Sequence, residues 1–159
     1  MTGKSKGMAT TRRRFDVPRA AVWQALSDGH VYSRWVVGTS QIRDVDAGWP
    51  APGTALHYSI GRGPLRHDGH TQVRAVDEGK RLELEAHAWP FGSIHIEIRI
   101  EEGGEGAGAG CVVTIVEHPA RGAAARLHNP VGDALLKLRN VEALRRLERI
   151  AKATPPPRQ

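Results

Sequence analysis

The chain has 159 residues, 40% of them hydrophobic and 25% charged, with a formal net charge of +6. This composition suits one soluble globular domain with a real core, and no apolar run is long enough to span a bilayer. The single Cys111 excludes an internal disulfide, and its apolar, strand-like surroundings favour a buried, inert thiol in a cytoplasmic protein.

The positive charge raises nucleic acid as a partner. Part of it lies near the ends, at Lys4, Lys6 and Arg158. Another part, Arg145, Arg146, Arg149 and Lys152, closes a C-terminal helix, where cations complement the helix dipole. Basic residues interleaved with exposed aromatics, or a recognisable reading motif, are missing, so no specific nucleic-acid partner is expected.

Residues 1–9 have no periodicity and no apolar signal-peptide core, and read as a disordered leader. Residues 10–15 form a first strand whose facing is left open by Arg12-Arg13-Arg14. Asp16-Val17-Pro18 opens a helix, with Asp16 as cap and Pro18 supplying a fixed φ; Val22, Trp23, Ala25 and Leu26 give it an apolar side. Gly29 stops it, and a second helical turn over residues 30–35 ends at Gly38.

The period then switches to two. Strands are expected over residues 40–45, 54–60, 66–76 and 81–89, followed by a run in which Ile94, Ile96, Ile98 and Ile100 alternate with His95, Glu97, Arg99 and Glu101. Residues 103–110 are nearly all Gly and Ala. They lack G-x-G-x-x-G spacing and lie between strands, so they read as a hairpin loop and not a phosphate cradle. Residues 111–118 form the last strand.

Residues 131–151 form a long helix in which Leu135, Leu138, Val141, Leu144, Leu147 and Ile150 recur at every third position. Each such step lags the helical period by about 60°, so the stripe winds round the axis and calls for a curved partner. Residues 153–159, with Pro155-Pro156-Pro157, read as a disordered tail. The order predicts an α+β domain over residues 10–152: an antiparallel meander of about seven strands, curved around the long helix, with two short helices after the first strand.

Several phrases then match a known family in order: Val17-Pro18-Arg19-Ala20-Ala21-Val22-Trp23, Leu26-Ser27-Asp28, Trp35-Val36-Val37-Gly38, Gly48-Trp49-Pro50 with Pro52-Gly53, Trp89-Pro90, and Arg139-Asn140-Val141-Glu142-Ala143-Leu144. The chain resembles the helix-grip fold of the START and birch-pollen-allergen superfamily (SRPBCC), in its polyketide cyclase/dehydrase-like branch. That resemblance implies an apolar cavity between sheet and long helix for lipids, polyketides or other hydrophobic small molecules. It does not imply one activity, since members include binders, carriers and cyclases.

On that basis Trp35, Leu56, Tyr58, Ile60, Leu84, Ala86, Trp89, Phe91, Ile96, Ile98, Glu117, Arg121, Leu135 and Leu138 are the candidate ligand-binding residues. No cofactor is expected. No metal is expected either: His67 and His70 point to opposite faces of a strand, and no H-E-x-x-H or Cys pair is present. The G-x-S-x-G elbow is also missing.

A cyclase would need an inward base. Tyr58 faces inward if Leu56 and Ile60 do. On the last strand, one register turns Val113, Ile115 and Glu117 inward, and the other turns Val112, Val116 and His118 inward. The resemblance favours the first, making Glu117 the candidate catalytic residue; the alternative is a carboxylate paired with Arg121 or another cation at the cavity rim. Loops at residues 61–64, 90–92 and 119–130 share one end of a strict meander and, with Trp89, Phe91 and Arg121, form the expected mouth. The primary reading is binding of a hydrophobic small molecule. A polyketide cyclase/dehydratase-type enzyme and an interaction module with a filled core are the alternatives, and a homodimer is left open.

Overall fold

Period-two alternation becomes seven strands in the computed structural model, which describes residues 9–88, 92–103, 110–121 and 130–153. The strands are β1 (Ala9–Phe15), β2 (Thr39–Val45), β3 (Ala55–Ile60), β4 (His67–Asp77), β5 (Arg81–Ala88), β6 (Gly92–Glu102) and β7 (Cys111–Arg121). Helices α1 (Arg19–Ser27) and α2 (Tyr32–Trp35) follow β1, and α3 (Pro130–Ala153) ends the domain. One sheet runs in the order β1-β7-β6-β5-β4-β3-β2, with every neighbouring pair antiparallel. The helix α3 packs on β1, α1 and α2, and its Arg139 reaches Glu117 on β7. The leader (residues 1–8), the loop at 104–109, the 122–129 connection and the tail (154–159) lie outside the described residues, whereas Ala9 and Ala153 belong to β1 and α3.

Inward parity follows the alternation closely. Phe15, Leu56, Val73, Leu82, Leu84, Ile98 and Val113 are fully buried on the inner face. On β7 the register turns Val113, Ile115 and Glu117 inward, pairing Glu117 with Ile96 and Ile115 with Ile98. Among the three arginines of β1, Arg12 and Arg14 are exposed and Arg13 turns inward. Asp16 does not cap α1: Pro18 holds the N-cap position without a side-chain bond. The Asp16 amide instead donates to Glu148 Oε2 of α3 at 3.0 Å.

Glu148 is the clamp that holds α3. Its Oε1 accepts from Arg13 Nη2 at 3.0 Å and from Arg13 Nε at 3.2 Å. Burial alone would raise the Glu148 carboxyl, but the Asp16 amide and the Arg13 guanidinium outweigh it, and its pKa is lowered.

This clamp also sets the rotation of α3. Asn140, Ala143, Leu144, Leu147 and Ala151 form the buried stripe. Leu135 and Leu138 stand more than about 120° round the axis from its centre and are 63% and 65% exposed. Both were expected to line the interior; the structure places them on the outer side. The every-third series crosses from the outer to the inner face, and a straight helix docks by one face only.

Two stability outcomes follow. Leu144→Ala should cost about 2–5 kcal/mol in denaturant melts, whereas Leu138→Ala should change stability by less than about 0.5 kcal/mol; equal losses would show that α3 is rotated from this position. Glu148→Gln should cost about 1.5–3 kcal/mol at neutral pH. Because the folded pKa lies below the unfolded one, this stability is present above about pH 4.3 and is lost as pH falls through the folded pKa. A variant with an unchanged midpoint and an unchanged acid limb would remove the clamp from the account.

Candidate functional site

Inside the sheet, apolar packing gives way to polar groups along the strands. At one end Leu82, Leu84, Ile98, Ile100 and Val113 leave no gap that solvent can reach. Toward the other end the same inward rows continue into Ile60, Ala86, Ile94 and Ile96, all only half-buried. This is the end of the β3–β4 connection and of the start of α3. Between the two regions lies a cluster of Tyr32, Tyr58, Thr71, Glu117 and Arg139.

Each member is placed by a different element. Tyr58 on β3 faces inward beside Leu56, and its hydroxyl meets Thr71 Oγ1 of β4 at 2.9 Å. Tyr32 of α2 reaches the same oxygen at 3.1 Å. The two phenol rings stack at 5.5 Å, and Trp35 stands edge-on to Tyr32 at 5.3 Å. Gly69 makes room for this arrangement: a Cβ there would lie 2.8 Å from Tyr58 Cε2 and 3.1 Å from the His87 carbonyl oxygen. Glu117 Oε1 accepts from Arg139 Nη2 of α3 at 2.6 Å.

The electrostatics suit hydrogen bonding by neutral phenols. Burial pushes the Tyr32 pKa up, Tyr58 adds to the rise, and the Thr71 bond and the Arg139 charge oppose it. Tyr58 is also raised, first by burial, with Thr71, Tyr32 and Arg139 acting the other way. Both phenols therefore keep their protons at neutral pH. With the Glu117–Arg139 pair they form a polar floor under an apolar wall.

The expected site residues divide clearly. Trp35, Tyr58 and Glu117 come together around the floor, and Ile60, Ala86 and Ile96 form the half-buried wall. Leu56, Leu84 and Ile98 are packed to essentially zero exposure. Leu135 and Leu138 face outward from α3. Trp89, Phe91 and the side chain of Arg121 lie outside the described residues.

The cation found on Glu117 is Arg139 of α3, where Arg121 or another cation was expected. Tyr32, Thr71, Arg139 and Asn140 were missed by the sequence reading. The signal for Asn140 was available: it sits three and four residues before Ala143 and Leu144 on the buried stripe. The other three carried no local signal. On the opposite, outer face His70 stacks on His87 with His57 tilted against it, and burial and then the neighbouring imidazoles lower the His70 pKa.

A curved antiparallel sheet gripping one long C-terminal helix, with two short helices after β1, defines the helix-grip class. Within it, the chain belongs to the family described as polyketide cyclase / dehydrase and lipid transport, of the SRPBCC superfamily; the match covers residues 8–152. No curated protein matches the chain in sequence.

Solved structures share the fold at low identity. Protein CV1439 from Chromobacterium violaceum is 15% identical, with 92% of this chain and 98% of that one covered and a TM-score of 0.70. Ara h 8.0201 is 15% identical over 93% of this chain and 100% of its own, with a TM-score of 0.64. The Zhui aromatase/cyclase from Streptomyces sp. R1128 is 14% identical over 91% and 93%, with a TM-score of 0.66. Among the described residues no helix is long and apolar enough to cross a membrane.

The floor gives a test of its own. Gly69→Ala should push the Tyr58 ring off Thr71 and cost about 1–3 kcal/mol. Full stability in a denaturant melt, with the near-ultraviolet tyrosine signal unchanged, would show that the ring does not depend on that glycine.

Proposed function

We propose that the protein binds a hydrophobic small molecule, lipid-like or polyketide-like, between the inner face of the sheet and α3. The observation that carries this reading is the change along the inward rows from fully packed Leu82, Leu84 and Ile98 to half-open Ala86 and Ile96. A filled interaction module would show the packed condition throughout. The opening is at the β3–β4 end, beside the start of α3. Family membership supports the ligand class, and the Zhui aromatase/cyclase and Ara h 8.0201 share the framework without fixing an activity. Cys111 is buried and its thiol is pushed up to about 11, first by desolvation and then by the Glu148 charge, which fits an inert thiol in the cytoplasm.

Native mass spectrometry of the purified protein should reveal a co-purified apolar molecule or one-to-one uptake of an added fluorescent apolar probe. Ile96→Trp should fill the half-open wall and lower probe affinity roughly tenfold with the fold intact by circular dichroism. Unchanged affinity would place the binding outside this interior.

A cyclase or dehydratase is the second reading, favoured by one observation: Glu117 is a buried, inward carboxylate with one oxygen not engaged by Arg139. In such an enzyme Glu117→Gln should cut turnover by roughly 10²–10⁴-fold with little effect on substrate affinity. The binder is the stronger reading because Arg139 already holds the other oxygen in a short ion pair.

A further inference from the structure

On the outer face of the sheet three imidazoles stand in one row. His57 of β3 is the cross-strand partner of His70 on β4, and His70 is the partner of His87 on β5. The His70 and His87 rings stack with centroids 4.6 Å apart and planes 17° from parallel. The His57 ring lies 6.0 Å from His70, tilted by 33°. Neutral imidazoles stack comfortably in this way, whereas like charges directly opposite on neighbouring strands repel.

The charges around the row are unevenly placed. Each flanking ring has a carboxylate: His57 Nε2 lies 3.9 Å from Asp46 Oδ1, and His87 Nε2 lies 3.1 Å from Glu85 Oε1. The middle ring, His70, forms no ion pair among the described residues. Asp68, two positions before it on β4, is engaged by Arg43 of β2, and Glu85 of β5 is shared between His87 and Arg74. Asp44, the β2 partner of His57, accepts from the Val45 amide. In the next row His95 of β6 turns to Glu83, at 3.8 Å. A proton on His70 therefore arrives between two other imidazoles without an anion of its own. Burial first, then His87 and His57, lower its pKa, and Glu85 opposes them.

The polar floor lies directly behind this row. His70 is flanked on β4 by the buried Gly69 and Thr71, and His57 on β3 by the buried Leu56 and Tyr58. The inward pairs Tyr58–Gly69, Leu56–Thr71 and Thr71–Ala86 thus straddle the histidine pairs, and the Tyr58 hydroxyl meets Thr71 across the same strand junction. We infer that the histidine row is an acid-sensitive seam: charging His70 between His57 and His87 loosens β4 from its neighbours, breaks the Tyr58–Thr71 contact behind it and releases a bound apolar molecule. Release rests on the interior being the binding space, as proposed above; the seam itself does not.

Because the folded pKa of His70 lies below the unfolded value of about 6.5, full stability is present above that pH and falls as pH drops through the folded pKa. The test compares the full chain at about pH 7.5 and about pH 5.0, a window above the carboxylate range in which the Glu148 clamp does not titrate. Wild type is set beside His70→Gln and beside His30→Gln, a control at an exposed position outside the row. Wild type and the control should melt about 1–3 °C lower at the acid end and lose part of the near-ultraviolet tyrosine signal. Both should also bind the uncharged probe N-phenyl-1-naphthylamine about threefold or more weaker there. His70→Gln should lose less than about half as much in each reading.

An equal fall in His70→Gln would overturn the seam, as would a His70 imidazole that titrates at or above about 6.5 in heteronuclear magnetic resonance spectra. A melting shift that depends on His70 while probe affinity stays constant would overturn release. If the probe does not bind wild type at neutral pH, the binding reading fails and release with it, while the melting midpoints still decide the seam.

Discussion

The position of one helix against one face of one sheet governs this molecule, and two carboxylates set that position. Glu148 reaches from α3 to Arg13 and to the Asp16 amide beside β1. Glu117 reaches from β7 to Arg139 on α3. Apolar burial selects a broad face of the helix but has no direction within it. Hydrogen-bonded ion pairs do have direction. Their net contribution to stability is modest, since desolvation offsets much of the Coulomb gain, but removing one partner leaves a buried charge alone. The two pairs therefore act as positioning devices. They bring Asn140, Ala143, Leu144 and Leu147 inside and leave Leu135 and Leu138 outside.

Once α3 is fixed, the interior divides along the strands. The region under Leu82, Ile98, Ile100 and Val113 is a conventional core, closed by α1 and by the C-terminal half of α3. The region beyond Ile96 and Ala86 is half-open and ends in hydroxyl and charged groups. Nothing in core formation requires two tyrosines to share one threonine oxygen, or an ion pair to sit beside them. Replacing such groups by well-packed apolar residues is often neutral or stabilising. The Tyr58 ring lies across Gly69, where a larger residue would have closed the same space.

Family membership and fold bound the function without choosing it. Helix-grip proteins of comparable shape include an aromatase/cyclase and Ara h 8.0201 at similar low identity, so shape cannot separate a reaction from simple retention of a ligand. The discriminating features are the side chains at the floor, and here the carboxylate is engaged by Arg139. That ion pair commits one oxygen of the only buried inward acid at this floor among the described residues.

Element types, their order and the meander were legible in the sequence because period-two and helical patterns are local. Alternation at Ile94, Ile96, Ile98 and Ile100 identifies β6 without knowledge of its neighbours, and short turns leave antiparallel pairing as the simple outcome. The inward parity of Tyr58 was legible for the same reason, while that of Glu117 needed the resemblance to choose between two registers. The rotation of α3 was not legible: a series at every third position has no single face, and the choice came from Glu148 meeting Arg13, 135 residues away. Nor was the partner of Glu117, since Arg121 was nearer in sequence and Arg139 lies 22 residues on, across a connection whose path no local pattern specifies. Tyr32 and Thr71 are unremarkable in sequence and gain meaning only from what faces them. By itself the sequence determined which segments are strands and helices and that a curved sheet would take up the last helix. Only the tertiary structure decided which polar groups meet inside, because side-chain pairing depends on contacts between distant segments that periodicity does not encode.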